Sequence, residues 1–101
     1  MFRKPEKIRS KKLTRAAQGN SCTLHTPYCN NNNETVVFCH APSEMKGVGT
    51  KSDDFWGADG CSGCHRFLDE IADKEVAESY WLKGIYRTLK RRFSEGLIQV
   101  Q

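Results

Sequence analysis

The sequence predicts an α+β fold in which a short β-hairpin runs into a helix, a cysteine knuckle fastens the two, and one long helix follows. Three stretches carry that expectation. Residues 34–40, "ETVVFCH", are dense in β-branched and aromatic side chains, which fit a pleated, half-buried strand. Residues 61–65, "CSGCH", set two cysteines three apart at the start of a helical pattern, the spacing of half a zinc site. Residues 74–94 repeat apolar side chains at helical intervals, the signature of an amphipathic helix. At 101 residues the chain suits one domain, read as residues 13–101 behind a basic flexible arm over 1–12. A core of that size buries only about two-thirds of the surface the unfolded chain exposes, so a metal staple would add what packing lacks.

Taken in order, residues 1–12 have no apolar periodicity and are read as the arm. "LTRAAQG" suggests a short helix over 13–18 with Gly19 as its stop. "CTLHTPYCNNNNE" is a loop, since Pro27 and four consecutive asparagines favour turns. In the strand that follows, alternation puts Val36, Phe38 and His40 on one face and Thr35, Val37 and Cys39 on the other, and Pro42 ends it. Residues 43–53 have loop composition, and "DFWGAD" (54–59) reads as a second short strand that closes a hairpin-like unit. Ser62 or Gly63 opens a helix towards Asp73, with Phe67, Leu68 and Ile71 as its buried stripe. The long helix from about Lys74 to Ser94 turns Tyr80, Trp81, Ile85, Leu89 and Phe93 inward and most of its basic residues outward. Gly96 ends it, and "LIQV" reads as a terminal strand. Trp56 and Trp81 are read as core anchors.

The cysteines number five, Cys22, Cys29, Cys39, Cys61 and Cys64. An odd count in a short chain fits a reducing compartment, with metal ligation and one spare thiol, better than a disulfide framework. "MFRKPEKIRSKK" lacks the apolar centre of a signal peptide, and no run is long enough to span a bilayer, so the chain reads as soluble and cytoplasmic, without a membrane partner. Cys22-x6-Cys29 joined to Cys61-x2-Cys64 would place four thiolates around one Zn²⁺, a closed structural site with no open position for a substrate. His25 is a rival ligand, and unmetallated buried thiols are the plainer alternative. Cys39 reads as a packed core thiol. His65 directly follows Cys64, and helical neighbours point about 100° apart, so it should look away from the zinc and across the hairpin towards His40.

The net charge of +4 is unevenly spread. Met1 to Arg15 carry seven basic residues against Glu6 alone, and Tyr80 to Phe93 carry Lys83, Arg87, Lys90, Arg91 and Arg92 with no acid, while residues 34–78 hold ten acids and four bases. Basic ends around an acidic middle suit a polyanion gripped at the edges with a cation at the centre. Each basic run taken alone is equally well a solvated tail or an ordinary wet helix face.

The stretches "AAQGNSC", "CNNNNETVVFCH", "GVGTKSDDF" and "CSGCHRFLDEI" resemble the HNH or His-Me finger nucleases, the ββα-metal fold, and within them the small prophage-encoded predicted nucleases of the YbcO-like family. The resemblance spans Leu13 to about Ile71 and implies a metal-dependent endonuclease acting on nucleic acid, DNA in the first place. It makes His40 the general base, His65 the helix histidine that holds a catalytic Mg²⁺ or Mn²⁺ with Asp54 as a further ligand, and Cys22, Cys29, Cys61 and Cys64 the zinc knuckle. Asp53 rivals Asp54. Two departures stand out: Cys39 occupies the position before the base where the superfamily has a metal-binding Asp, Glu or His, and the usual asparagine of the second strand is missing. In this reading His40 takes a proton from water, the ion stabilises the charge on phosphorus and on the leaving oxygen, and Lys83, Arg87, Lys90, Arg91 and Arg92 hold backbone phosphates without reading sequence. The alternatives are a zinc-stapled nucleic-acid-binding module without hydrolytic activity, favoured by Cys39, and a module whose basic helix binds an acidic protein. The sequence does not specify an oligomeric state.

Overall fold

The computed structural model describes residues 8–42 and 52–100; the first seven residues of the expected arm and residues 43–51 of the expected loop over 43–53 lie outside them. The described chain forms α1 (Lys11–Arg15), β1 (Val37–His40), β2 (Gly57–Gly60), α2 (Ser62–Arg66) and α3 (Lys74–Ser94). The mixed α/β character expected from the sequence is present, as a two-stranded sheet with three helices.

Order begins ahead of residue 13. The Ile8 N–H donates to Asp53 Oδ1 at 2.6 Å and the Ser10 N–H to Asp54 Oδ2 at 2.7 Å, while Ile8 O accepts from the Asp54 N–H at 2.9 Å. Residues 8–10 therefore lie along 53–54, and Ser10 caps α1 by accepting from the Leu13 N–H, because its hydroxyl satisfies one of the donors that a helix start leaves unpaired. The helix thus spans Lys11–Arg15 instead of 13–18, and hydrogen-bonded turns carry the chain on to Gly19, whose φ of +77° suits glycine.

β1 and β2 pair antiparallel, from Val37 opposite Gly60 to His40 opposite Gly57. β1 starts later than expected because Asn33–Thr35 form a 3-10 turn, capped by Asn32, which accepts from the Glu34 N–H. Val36 consequently enters the core ahead of the strand, while Phe38 and His40 share a face and meet edge to face at 5.0 Å. β2 is also shorter than "DFWGAD", since the Trp56 N–H bonds back to Asp53 O in a turn. Gly57 has a steric reason: a Cβ there would lie 2.2 Å from the Cys39 carbonyl oxygen.

Cys61 caps α2, as the Cys64 N–H donates to its Sγ at 3.4 Å. The expected single helix to Asp73 changes pitch at Phe67–Ile71, where the Ala72 N–H reaches Phe67 O five residues back. The extra residue per turn rotates the buried stripe, so Phe67 and Leu68 stay inside while Ile71 is 46% exposed. α3 matches its expected span. It packs Trp81, Gly84, Ile85 and Thr88 against the sheet, with Gly84 beside Leu24 and Ala58. Tyr80 and Leu89 are partly buried against the same core, Trp56 likewise, but Phe93 is 43% exposed and Arg92 takes the inward place instead. "LIQV" adds no strand: the Leu97 and Ile98 N–H groups turn back onto Arg92 O. The core is Leu24, Val36, Cys39, Ala58, Trp81 and Ile85 with the cysteines of the knuckle. Among the described residues no helix is long and apolar enough to cross a membrane.

Candidate functional site

The loop from Cys22 to Cys29 folds over the start of α2 because Thr23 is tied to β2: its N–H donates to Asp59 O at 2.7 Å. This brings the sulfurs of Cys22, Cys29, Cys61 and Cys64 within 4.8 Å of one another, with Cys22 to Cys64 at 3.6 Å and Cys29 to Cys61 at 3.8 Å. Four sulfurs about 2.3 Å from a tetrahedral ion stand about 3.8 Å apart, so the donor set fits zinc and leaves no position for a substrate. Thr26 supports it by donating to Cys64 Sγ at 3.1 Å, the outer contact that fixes a ligand's orientation. Burial opposes ionisation of Cys61, but N–H donors from Cys64 and Asn30 outweigh it and bring the thiol to about 7. Burial pushes Cys64 and Cys29 up, and a bound dication would reverse that by favouring thiolate.

His25 is exposed, with a φ of +51°, and stands outside this cluster. Cys39 is buried on the core side of β1 beside Gly60 O, and burial drives its thiol up to about 12. It is the packed core thiol that the sequence suggested.

On the opposite face of β1, His40 and Asp54 come together. His40 Nε2 lies 2.7 Å from Asp54 Oδ1, which also accepts from Arg9 Nη1 at 3.2 Å, while Oδ2 takes the Ser10 N–H. Burial raises the pKa of Asp54, but the bonds from His40, Ser10 and Arg9 outweigh it and hold the carboxyl below its usual range. Asp53 holds the Ile8 N–H instead. The pair opens into a cleft of about 510 Å³ between β1 and α1, lined also by Arg9, Thr14, Arg15, Gln18, Val37 and Phe38.

The lowered pKa has a measurable sign. Asp54 contributes stability above the unfolded carboxyl pKa, about 3.9, and that contribution is lost as pH falls through the lower folded value. Urea midpoints measured from pH 6 to pH 3 should therefore fall less steeply in Asp54→Asn than in the parent; parallel curves would contradict the charge assignment.

His65 lies elsewhere. Its Nε2 meets Asp69 Oδ2 at 3.1 Å on its own helical stretch, with both side chains substantially exposed. His40 sits opposite Gly57, three pairs from the Val37–Gly60 end at which the chain passes into α2, about 10 Å along the strand. Among the described residues the four cysteines are the one group of three or more His, Cys, Asp or Glu ligand atoms gathered within 4.8 Å. The structure does not bring His40, Asp54 and His65 into a common donor set. Both Asp54 oxygens already face N–H donors, one of them a guanidinium, and His65 faces Asp69.

The expected phosphate-binding residues of α3 also divide. Lys83 and Lys90 are exposed, with the Lys90 ammonium 5.5 Å from the Tyr86 ring centre. Arg87 donates to Thr23 O, and Arg91 to Ser21 O, Ser21 Oγ and Asp59 Oδ2. Arg92, at 2% exposure, is bound to Asp59, which is 0% exposed, so it cannot reach a phosphate. Sequence reasoning missed this network and the α1 wall of the cleft. The available signal was an acid between small residues in "GADG".

A family model described as "Putative nuclease YbcO" matches residues 11–97. The fold is similar to a solved structure described as "a putative bacteriophage protein from Escherichia coli str. K-12 substr. MG1655", with a TM-score of 0.67 and 31% identity over 82% of this chain and 98% of that one. No curated protein matches the chain.

Proposed function

The chain belongs to the YbcO family, whose description names a nuclease, and on that premise we propose that it hydrolyses phosphodiester bonds in nucleic acid, DNA first among them, with His40 as general base. The observation that carries this reading is the His40–Asp54 pair at 2.7 Å at the mouth of an open cleft. With Nε2–H donating to Asp54, the second ring nitrogen keeps its lone pair and can take a proton from water, and the carboxylate holds the ring and steadies the imidazolium that results. The order of strand, strand and helix over Val37–His40, Gly57–Gly60 and Ser62–Arg66 supports a His-Me finger, and endonucleolytic cutting goes with it. Zinc in the cysteine cluster would supply no chemistry; it would fasten the Cys22–Cys29 loop to α2. No step is assigned to Mg²⁺ or Mn²⁺, since His65 pairs with Asp69 and both Asp54 oxygens face N–H donors. Lys83 and Lys90 remain candidates for holding backbone phosphates.

Plasmid and short duplex DNA incubated with the parent and His40→Ala proteins, in EDTA and with Mg²⁺ or Mn²⁺ added, test the reading. His40→Ala should lower the cleavage rate by about 10²–10⁴-fold. Equal cutting by both proteins would overturn the assignment, and DNA retention without cutting by either would favour the binding-module alternative.

A further inference from the structure

The wall of the cleft facing His40 is built by α1 and the turn after it, and it holds a cation whose side chain has no partner among the described residues. Six arginines lie among the described residues. Arg9 is bound to Asp54 and Ser52 O, Arg66 to Glu70, Arg87 to Thr23 O, and Arg91 and Arg92 to Asp59. Two exposed arginines, Arg9 and Arg15, line the cleft with His40; Arg9 is bound to Asp54, and Arg15 alone has no side-chain partner among the described residues. Gln18, in the turn after α1, lines the same cleft, and its N–H donates to Arg15 O at 3.1 Å. A guanidinium presents paired N–H donors matched to two oxygens of a phosphate. Asp54 already has a cationic partner in Arg9, at 3.2 Å, so the site can add a second cation without drawing it into a salt bridge with that carboxylate.

We propose that Arg15, assisted by Gln18, holds the non-bridging oxygens of the scissile phosphodiester opposite His40 and stabilises the charge that develops on phosphorus. This deepens the nuclease reading and rests on it. The water oxygen forms the new bond to phosphorus while its proton passes to the free ring nitrogen of His40. The bond from phosphorus to one sugar oxygen breaks, its electron pair leaves with that oxygen, and solvent supplies the proton that neutralises it. Arg15 forms no covalent bond, and nothing is oxidised or reduced. Its guanidinium stabilises the charge on phosphorus by paired hydrogen bonds.

The test uses the full-length protein and a labelled duplex oligonucleotide under the best ionic conditions of the parent. Arg15→Ala should lower kcat by about 100-fold, the usual loss when a donor to a developing oxyanion is removed, with KM changed only a few-fold. Arg15→Lys should recover part of the loss, and millimolar guanidinium should restore activity to Arg15→Ala but not to His40→Ala. Arg15 is exposed, so both variants should keep the circular dichroism spectrum of the parent. Parent-like kcat in Arg15→Ala, or a rise in KM alone, overturns the role of Arg15 while a dependence on His40 keeps the nuclease reading. If parent and His40→Ala cut alike, that reading fails by itself, and titration of the thymidine dinucleotide dTpdT followed by NMR then decides the phosphate site. Binding about ten-fold weaker in Arg15→Ala supports the site, and unchanged binding overturns it.

Discussion

Replacing Asp59 with alanine is expected to destabilise the fold by about 3–5 kcal/mol, the range for breaking a buried ion pair from one side. Asp59 sits on β2 with no exposed surface, and both of its oxygens accept from Arg92 while Oδ2 also accepts from Arg91. Its main chain is engaged as well: the N–H donates to Thr88 Oγ1 at 3.1 Å, and the carbonyl receives the Thr23 N–H. Truncation would leave a guanidinium of 2% exposure with only Glu95, at 3.5 Å and partly exposed, to offset its charge. The favourable part of the pair does not have to be large for this to hold, since the penalty comes from the charge left behind. Urea unfolding of the parent, Asp59→Ala and Asp59→Asn decides the matter. Asparagine retains an acceptor and should fall between the other two, whereas a loss under about 1 kcal/mol in the alanine variant would show that Arg92 finds water.

The second large effect concerns the cysteine cluster. The parent should carry one equivalent of zinc, and stripping it with a strong chelator should leave a chain that melts without a cooperative transition at ordinary temperatures. Structural zinc sites bind with about 10–16 kcal/mol of apparent free energy, comparable with or larger than the whole stability of a small domain. Here the ion would join a loop at Cys22 and Cys29 to the cap of α2 at Cys61 and Cys64, and those sulfurs already stand at the separations a tetrahedral ion imposes. Cys61→Ser and Cys64→Ser should lose zinc, while Cys39→Ser, outside the cluster, should retain it. Elemental analysis with thermal melts in chelator is the check; zinc retained at parent stoichiometry by Cys61→Ser, or an unchanged melt in chelator, would remove the ion from the account.

Local signals made some of this legible. The Cys-x2-Cys pair at a helix start and the second pair in a turn-rich loop were readable because thiolate coordination constrains spacing. α3 was readable because a periodic pattern over about six turns averages out individual exceptions. Short elements were less so. β1 lost Glu34 and Thr35 to a 3-10 turn that Asn32 caps and Val36 follows, and Ile71 turned outward because one wide helical turn changed the phase. Neither effect is visible in hydrophobic alternation alone.

Side-chain partnership was the harder part of the site. Arg91 and Arg92 read as surface cations because their neighbours are polar and basic; their acid lies on another element 32 and 33 residues away in sequence. His65 read as facing His40 because it must turn away from the zinc, yet the acid one helical turn later offers it a nearer partner. The His40–Asp54 pair was half legible. Both residues stood out, His40 as the general base and Asp54 as a ligand of a catalytic ion, but not as partners, because nothing local announced that residues 8–10 would fold back and cover Asp54 with N–H donors.

Arg92 also donates through Nε to Leu13 O at 3.1 Å, so the guanidinium that answers Asp59 holds the first helix too. One planar group therefore registers three segments remote in sequence, and the wall bearing Arg15 inherits its position from the interior. Damage at position 92 would thus be read twice, as a looser protein and as a misaligned cleft, and a screen that scored only turnover would mistake a keystone for a reactant.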